Sequence, residues 1–319
     1  MAATTLGRPA YLLEKDLWVV WALRELFTSP LGEHLTFKGG TSLSKVYRLI
    51  DRFSEDIDLT YDIRRFIPEL TDGEQMPRTR SQESKWTRQI RASLPGWIEA
   101  EVCPVLSAAL EREHLGAGLQ VEDDKLFVHY PALTPASDYV RPAVLLEFGA
   151  RSSGEPHRVH PVTCDMAEAI QGVDFPQAEP VVMEIARTFW EKATATHVYC
   201  VQHRLKGERF ARHWHDLAAI ARSDHLEAIA ADKVVAGLVA EHKSCFFREK
   251  DANGNEVDYR AAVTGGLRIV PDGDARKALA DDYARMLEGG MMVGEPFAFD
   301  DLMDACEQLQ QRLNGADCS

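Results

Sequence analysis

Two aspartates one residue apart, Asp56 and Asp58, are the side chains whose spacing most directly implies chemistry. In Asp56-Ile57-Asp58-Leu59-Thr60-Tyr61, strand alternation sends both carboxylates to one face and Ile57, Leu59 and Tyr61 to the other. Carboxylates so placed repel each other, and a cation between them removes the penalty. Magnesium suits that position, being a hard ion held by one or two carboxylates while phosphate oxygens and waters complete its octahedron. Upstream, Gly39-Gly40-Thr41-Ser42 forms a turn whose glycines let the backbone approach a bound group closely. Leu43, Val46, Tyr47 and Ile50, three and four residues apart, predict one amphipathic helix after that turn. Its N-terminus would offer unpaired N–H groups and the positive end of the helix dipole to a phosphate. Turn, helix and strand together predict a nucleoside triphosphate site, with Gly39, Gly40, Thr41 and Ser42 as nucleotide-binding residues. The competing reading is a polar turn, an ordinary helix and a strand with an acidic exposed face.

The order Gly40-Thr41-Ser42, helix, Asp-x-Asp is similar to the signature of the DNA polymerase β superfamily of nucleotidyltransferases, with a somewhat longer gap before Asp56. The phrase KGGTSLSKVY…RFSEDIDL resembles most the AbiEii/AbiGii-type toxin branch of that superfamily. The resemblance implies two magnesium ions that arrive with the NTP and are bound by Asp56 and Asp58. It also implies a toxin whose antitoxin is encoded alongside, with a tRNA 3′ end as acceptor.

Three further residues extend the candidate site. In the apolar run RPAVLLEFGAR, Glu147 is costly to bury without a partner, and a metal shared with Asp56 and Asp58 would supply one; the alternatives are a solvent-facing position or pairing with Arg151. Polymerase-β-like enzymes place a third carboxylate on a neighbouring strand, a role the resemblance assigns to Glu147. Pro180 is expected to open a helix from Val181 to about Cys200, with Lys192 at the border of its apolar stripe. There a lysine can lay its stem along the core and extend its ammonium into a cleft or into solvent. FWEKATATH resembles a toxin segment whose lysine contacts the triphosphate. Asp216 has an ordinary partner four residues away in Arg212, but RHWHDL resembles a toxin segment in which the aspartate is functional. By resemblance, the catalytic set is Asp56, Asp58, Lys192 and Asp216.

These residues need a scaffold, and 319 residues with 45% hydrophobic content allow a substantial core. The expected fold is α/β (α+β): a small mixed sheet of polymerase-β-like type, then helices. Residues 1–180 would form the nucleotidyltransferase core and 181–319 a helical C-terminal lobe completing the active-site cleft. Helices are expected over 11–27 and over 84–115, the latter interrupted around Pro95-Gly96, with a hairpin over 119–130. No run is long and apolar enough to span a membrane, and residues 1–9 lack a signal-peptide pattern, so the expected location is cytoplasmic. Six scattered cysteines without Cys-x-x-Cys indicate neither a zinc knuckle nor a disulfide framework.

A net charge of −14 is unfavourable for a nucleic-acid substrate. Basic residues nevertheless cluster at Arg64, Arg65, Arg78, Arg80, Lys85, Arg88 and Arg91, and again at Arg204, Lys206, Arg209 and Arg212. The expected activity is magnesium-dependent transfer of an NMP from NTP to an acceptor hydroxyl, on RNA by resemblance. The alternatives are a protein or small-molecule acceptor, or an NTP-binding module without turnover. Intact Asp56 and Asp58 argue against the last. The sequence leaves the choice of NTP and the oligomeric state open.

Overall fold

The computed structural model describes residues 5–54, 56–134, 141–204, 209–289, 292 and 294–315. It divides into two compact units, one of Met1–Tyr47 with Phe53–Met183 and the other of Arg48–Arg52 with Glu184–Ser319. Lys206 of the second basic cluster lies outside the described residues.

The first unit is built on a seven-stranded mixed sheet. Its strands are β1 (Leu35–Lys38), β2 (Asp56–Asp62), β3 (Gly118–Glu122), β4 (Lys125–His129), β5 (Ala143–Ser152), β6 (His157–Val159) and, after the short pair β7 (Val162–Thr163) and β8 (Gln177–Ala178), β9 (Val181–Met183). The order is β3-β4-β5-β2-β1-β9-β6, with β2 antiparallel to β1 and parallel to β5. Alternation explains the central strands. Ile57 and Leu59 on β2, and Val144, Leu146 and Phe148 on β5, are buried, while Asp56, Asp58 and Glu147 between them are half-buried. Helix α1 (Ala10–Thr28) contributes Leu13, Val20, Leu23 and Leu26 to the core and stops where Pro30 starts a short 3-10 turn.

Three expected elements differ from those observed. The helix after the glycine turn, α2 (Gly39–Lys45), is seven residues long and does not reach Ile50. Arg48 has φ +52°, a left-handed conformation that cannot continue a right-handed helix, and the chain leaves for the second unit there. Helix α3 (Arg80–Trp97) runs through Pro95, and the irregularity follows it as a wider π turn over Ile98–Val102 before α4 (Cys103–Arg112). Such a turn reorganises the hydrogen bonding beside the missing proline N–H. Val181–Met183 is a strand: its β-branched residues pair Val182 with Phe37 in parallel and with Arg158 antiparallel, so the helix starts only at Ile185.

The second unit is helical, with α5 (Ile185–Val201), α6 (Ala211–Ala221), α7 (Lys233–Phe246), α8 (Tyr259–Val263), α9 (Gly273–Glu288) and α10 (Phe299–Gly315) among its elements. Helix α6 packs against α5, α9 and α10 through Trp214, Leu217 and Ile220, which are fully buried. The Trp214 indole N–H donates to the Ile269 carbonyl at 2.6 Å. The entry to α6 is fixed by Asp282, whose carboxylate accepts from the backbone N–H groups of Arg209 and Ala211, each at 2.8 Å.

Candidate active site

In the first unit the glycine turn and the carboxylate strand meet directly. Asp58 pairs with Lys38 on one side and Glu147 on the other, which brings the start of α2 beside the acidic strand. Gly39 has φ +81°, and a Cβ built on it would lie 1.9 Å from Asp58 Oδ2. Only glycine fits there, both for its backbone conformation and for the space. No side chain caps the N-terminal end of α2.

Thr41 and Ser42 are fully buried; Thr41 donates to the Asp56 carbonyl, with Ser54 Oγ 3.0 Å away, and Ser42 donates to the Gly39 carbonyl at 2.9 Å. Thr41 braces the turn against β2, and Ser42 closes the turn on itself.

Glu147 has a partner, and it is Lys125 of β4 at 2.8 Å, not Arg151. The hydrogen bond and the charge of Glu147 push the Lys125 pKa up, against a smaller opposing effect of burial. Asp58 and Glu147 stand in register on neighbouring strands, and among the described residues no group of three or more His, Cys, Asp or Glu forms a metal-holding cluster. Asp56 and Asp58 remain a donor set of the right chemistry for a hard divalent cation, with open positions for phosphate and water.

A separate charge cluster lies inside the second unit. Asp216 on α6 has 0% exposure and pairs with Arg52. Arg52 donates through Nε to Oδ1 and through Nη2 to Oδ2, both at 2.8 Å. Lys192 Nζ lies 3.0 Å from Oδ2, and His215 Nδ1 lies 3.4 Å from Oδ1. Burial alone would raise the Asp216 pKa, but the Arg52 and Lys192 charges outweigh it and hold the carboxyl well below its usual range. Lys192 is 9% exposed and its ammonium is anchored, which replaces the picture of a side chain reaching into solvent. His213, one turn from Asp216, has a buried Nδ1 with no partner among the described residues, and burial pushes its pKa down to about 3.

Sequence reasoning missed Arg52 and Lys125. Arg52 stands inside the motif RFSEDID, but nothing in its spacing tells that it pairs with a residue 164 positions away. Lys125 stands opposite Glu147 through the pairing of β4 with β5, a register the hairpin itself does not set. A cavity of about 1010 Å³ also lies in the first unit, along Leu13, Leu17, Trp18 and Trp21 of α1; none of the candidate site residues lines it.

The family described as nucleotidyl transferase AbiEii toxin, type IV toxin–antitoxin system, matches residues 21–305. The chain belongs to the AbiEii toxin family. It is therefore a nucleotidyltransferase of a type IV toxin–antitoxin system, and membership implies an NTP substrate and an antitoxin partner. Among solved structures, the chain is similar to MenT4, a nucleotidyltransferase toxin from Mycobacterium tuberculosis H37Rv, at 16% identity and a TM-score of 0.52, with 99% of this chain and 89% of that chain covered. It is also similar to a putative nucleotidyltransferase from H. pylori, at 13% identity and a TM-score of 0.45 over 96% of each chain. JHP933 from Helicobacter pylori is similar at 13% identity and a TM-score of 0.41, over 96% of this chain and 93% of that one. No match was found among curated proteins. The AbiEii match spans the glycine turn, the Asp-x-Asp strand, Glu147, Lys192 and Asp216 alike. Among the described residues, no helix is long and apolar enough to cross a membrane.

Proposed function

We propose that this AbiEii-family toxin moves an NMP from a magnesium-bound NTP to a hydroxyl of an RNA, with a tRNA 3′ end as the acceptor the resemblance implies. The observation that carries the reading is the contact of Gly39 with Asp58, which puts a backbone turn suited to phosphate and a carboxylate suited to metal in one place. In the reaction, the acceptor oxygen attacks the α-phosphorus and forms a new P–O bond. The bond from that phosphorus to the β-phosphate bridging oxygen breaks, pyrophosphate leaves, and the hydroxyl proton passes to solvent.

Asp56 and Asp58 would hold the magnesium, and Glu147, whose Oε1 meets Lys125, would join through its other carboxylate oxygen. Held there, the metal would supply charge neutralisation for the triphosphate and would help the attacking hydroxyl to ionise. Backbone N–H groups of Gly39 to Ser42 would hold phosphate oxygens. Lys192 would neutralise phosphate charge, while Asp216, wholly buried, acts on Lys192 and not on the nucleotide.

The test is incubation of the purified protein with each labelled NTP, magnesium and total RNA or cell extract. Asp56→Ala and Asp58→Ala should each abolish transfer while the thermal unfolding midpoint stays nearly unchanged, because both side chains are only half-buried. Undiminished transfer in either variant would end this reading. The net charge of −14 favours a second acceptor class, a protein or a small molecule. Label from the NTP found only in those fractions would establish it.

A further inference from the structure

We propose that Arg52 is a positioning residue for Lys192, acting through the Asp216 carboxylate they share. The activity part of this inference rests on the role given to Lys192 above; the geometric part stands alone. A lysine side chain is a flexible stem ending in three rotatable donors, so the acceptor it meets determines where it points. For Lys192 that acceptor is Asp216 Oδ2 at 3.0 Å. Asp216 is in turn oriented by the Arg52 fork, which grips both carboxylate oxygens at 2.8 Å and so fixes the plane of the group. With the plane fixed, Oδ2 still has a lone pair to present to the ammonium.

Charge supports the same reading. Arg52 and Lys192 bring two positive charges to one carboxylate, and His213, with its pKa pushed down to about 3 by burial, adds none at neutral pH. A pair built for stability alone would need one cation. Arg52 Nη1 is also buried without a partner among the described residues, so the guanidinium is placed for its fork on Asp216 and not for full satisfaction of its own donors. Arg52 precedes Asp56 by only four residues in the chain. One short stretch of sequence therefore supplies both the metal-binding carboxylates and the residue that aims the lysine.

The decisive variant is Arg52→Lys, which keeps the charge and loses the fork. Lys192 should then react with an amine-acylating reagent about tenfold faster than in the wild-type protein, because its ammonium is no longer held; the rate is read on the peptide containing Lys192 by mass spectrometry. Asp216→Asn should produce the same increase, and serves if Arg52→Lys does not fold. An unchanged Lys192 rate in a folded variant overturns the proposal. NMP transfer gives the second measurement, as a double-mutant cycle of Arg52→Lys with Lys192→Met. The arginine substitution should lower kcat about tenfold alone and cost nothing further once Lys192 is methionine. Losses that multiply would show that Arg52 acts independently of Lys192 and would overturn the proposal. If the wild-type protein transfers no label to any acceptor, the proposed function fails, and the acylation rates still decide whether Arg52 holds Lys192.

Discussion

Gly39 and Asp58 approach so closely that the carboxylate of the one occupies the space where a side chain on the other would begin. This contact joins the two halves of the nucleotidyltransferase motif, and it makes a mutation in the turn a mutation of the acidic strand. Gly39→Ala should abolish NMP transfer even though no charged or polar side chain is removed. It should also lower stability by at least about 1 kcal/mol, since alanine is strained at φ +81°. Urea unfolding alongside labelling by NTP checks both, and a fully active alanine variant would show that the turn can open without moving Asp58.

Lys192 and Asp216 should separate in their effects on the fold. Lys192→Ala leaves the Arg52–Asp216 pair intact, so stability should hold while transfer falls at least about tenfold, equivalent to about 1.4 kcal/mol. Asp216→Ala strands two buried cations and should cost about 3–5 kcal/mol of stability. Equal denaturation midpoints for the two variants would contradict the charge arrangement.

Two histidines with lowered pKa, His197 and His213, should make the protein acid-sensitive. Burial pushes the His213 pKa down to about 3 and the His197 pKa down to about 4, from 6.5. His197 Nδ1 accepts the Arg268 backbone N–H at 3.0 Å, a bond its protonation would break. Between 6.5 and these values the unfolded chain binds the protons and the folded chain does not. Stability is therefore full above 6.5 and declines as the pH falls, by about 1.4 kcal/mol per pH unit for each histidine within its window. His213→Gln should remove about half of that slope between about pH 6 and about pH 5, measured by urea unfolding. An unchanged slope would mean that His213 stays protonated in the fold.

The RNA acceptor is tested by charge reversal at Arg204, Lys206 and Arg209 together. RNA labelling should fall and NTP binding should persist, and the affinity of the wild-type protein for RNA should drop steeply with added salt. Persistent labelling would remove RNA as the acceptor held by this cluster.

The elements that carry strong local patterns were legible. The alternation of Ile57 and Leu59 with Asp56 and Asp58 predicts both β2 and the side to which its carboxylates point, and the periodic stripe of α1 predicts that helix to within a residue at each end. Val181–Met183 was not legible as a strand, because three apolar residues after a proline fit a helix start equally well; the partners Phe37 and Arg158 decide the matter, and they are distant in sequence. The end of α2 was missed for a related reason. The apolar spacing through Ile50 persists beyond the helix because Ile50 is buried in the second unit, and periodicity does not reveal which core a residue serves. At the site, the residue types were readable and their pairings were not. Arg212 and Arg151 were the nearest cations in sequence to Asp216 and Glu147, but the fold supplies Arg52 and Lys125.

The five residues Arg48–Arg52 belong to the second unit while the chain on both sides of them belongs to the first. Truncation at the apparent boundary therefore cannot yield two intact halves. A fragment ending at Met183 would retain Arg52 with its buried carboxylate partner missing, and a fragment beginning at Glu184 would retain Asp216 with Lys192 as its one strong cation. Each piece would carry half of an ion pair made for burial. Attempts to express either unit alone should thus begin from a design that restores the missing partner, by grafting the Arg48–Arg52 segment onto the helical unit or by replacing Arg52 in the sheet unit with an uncharged residue.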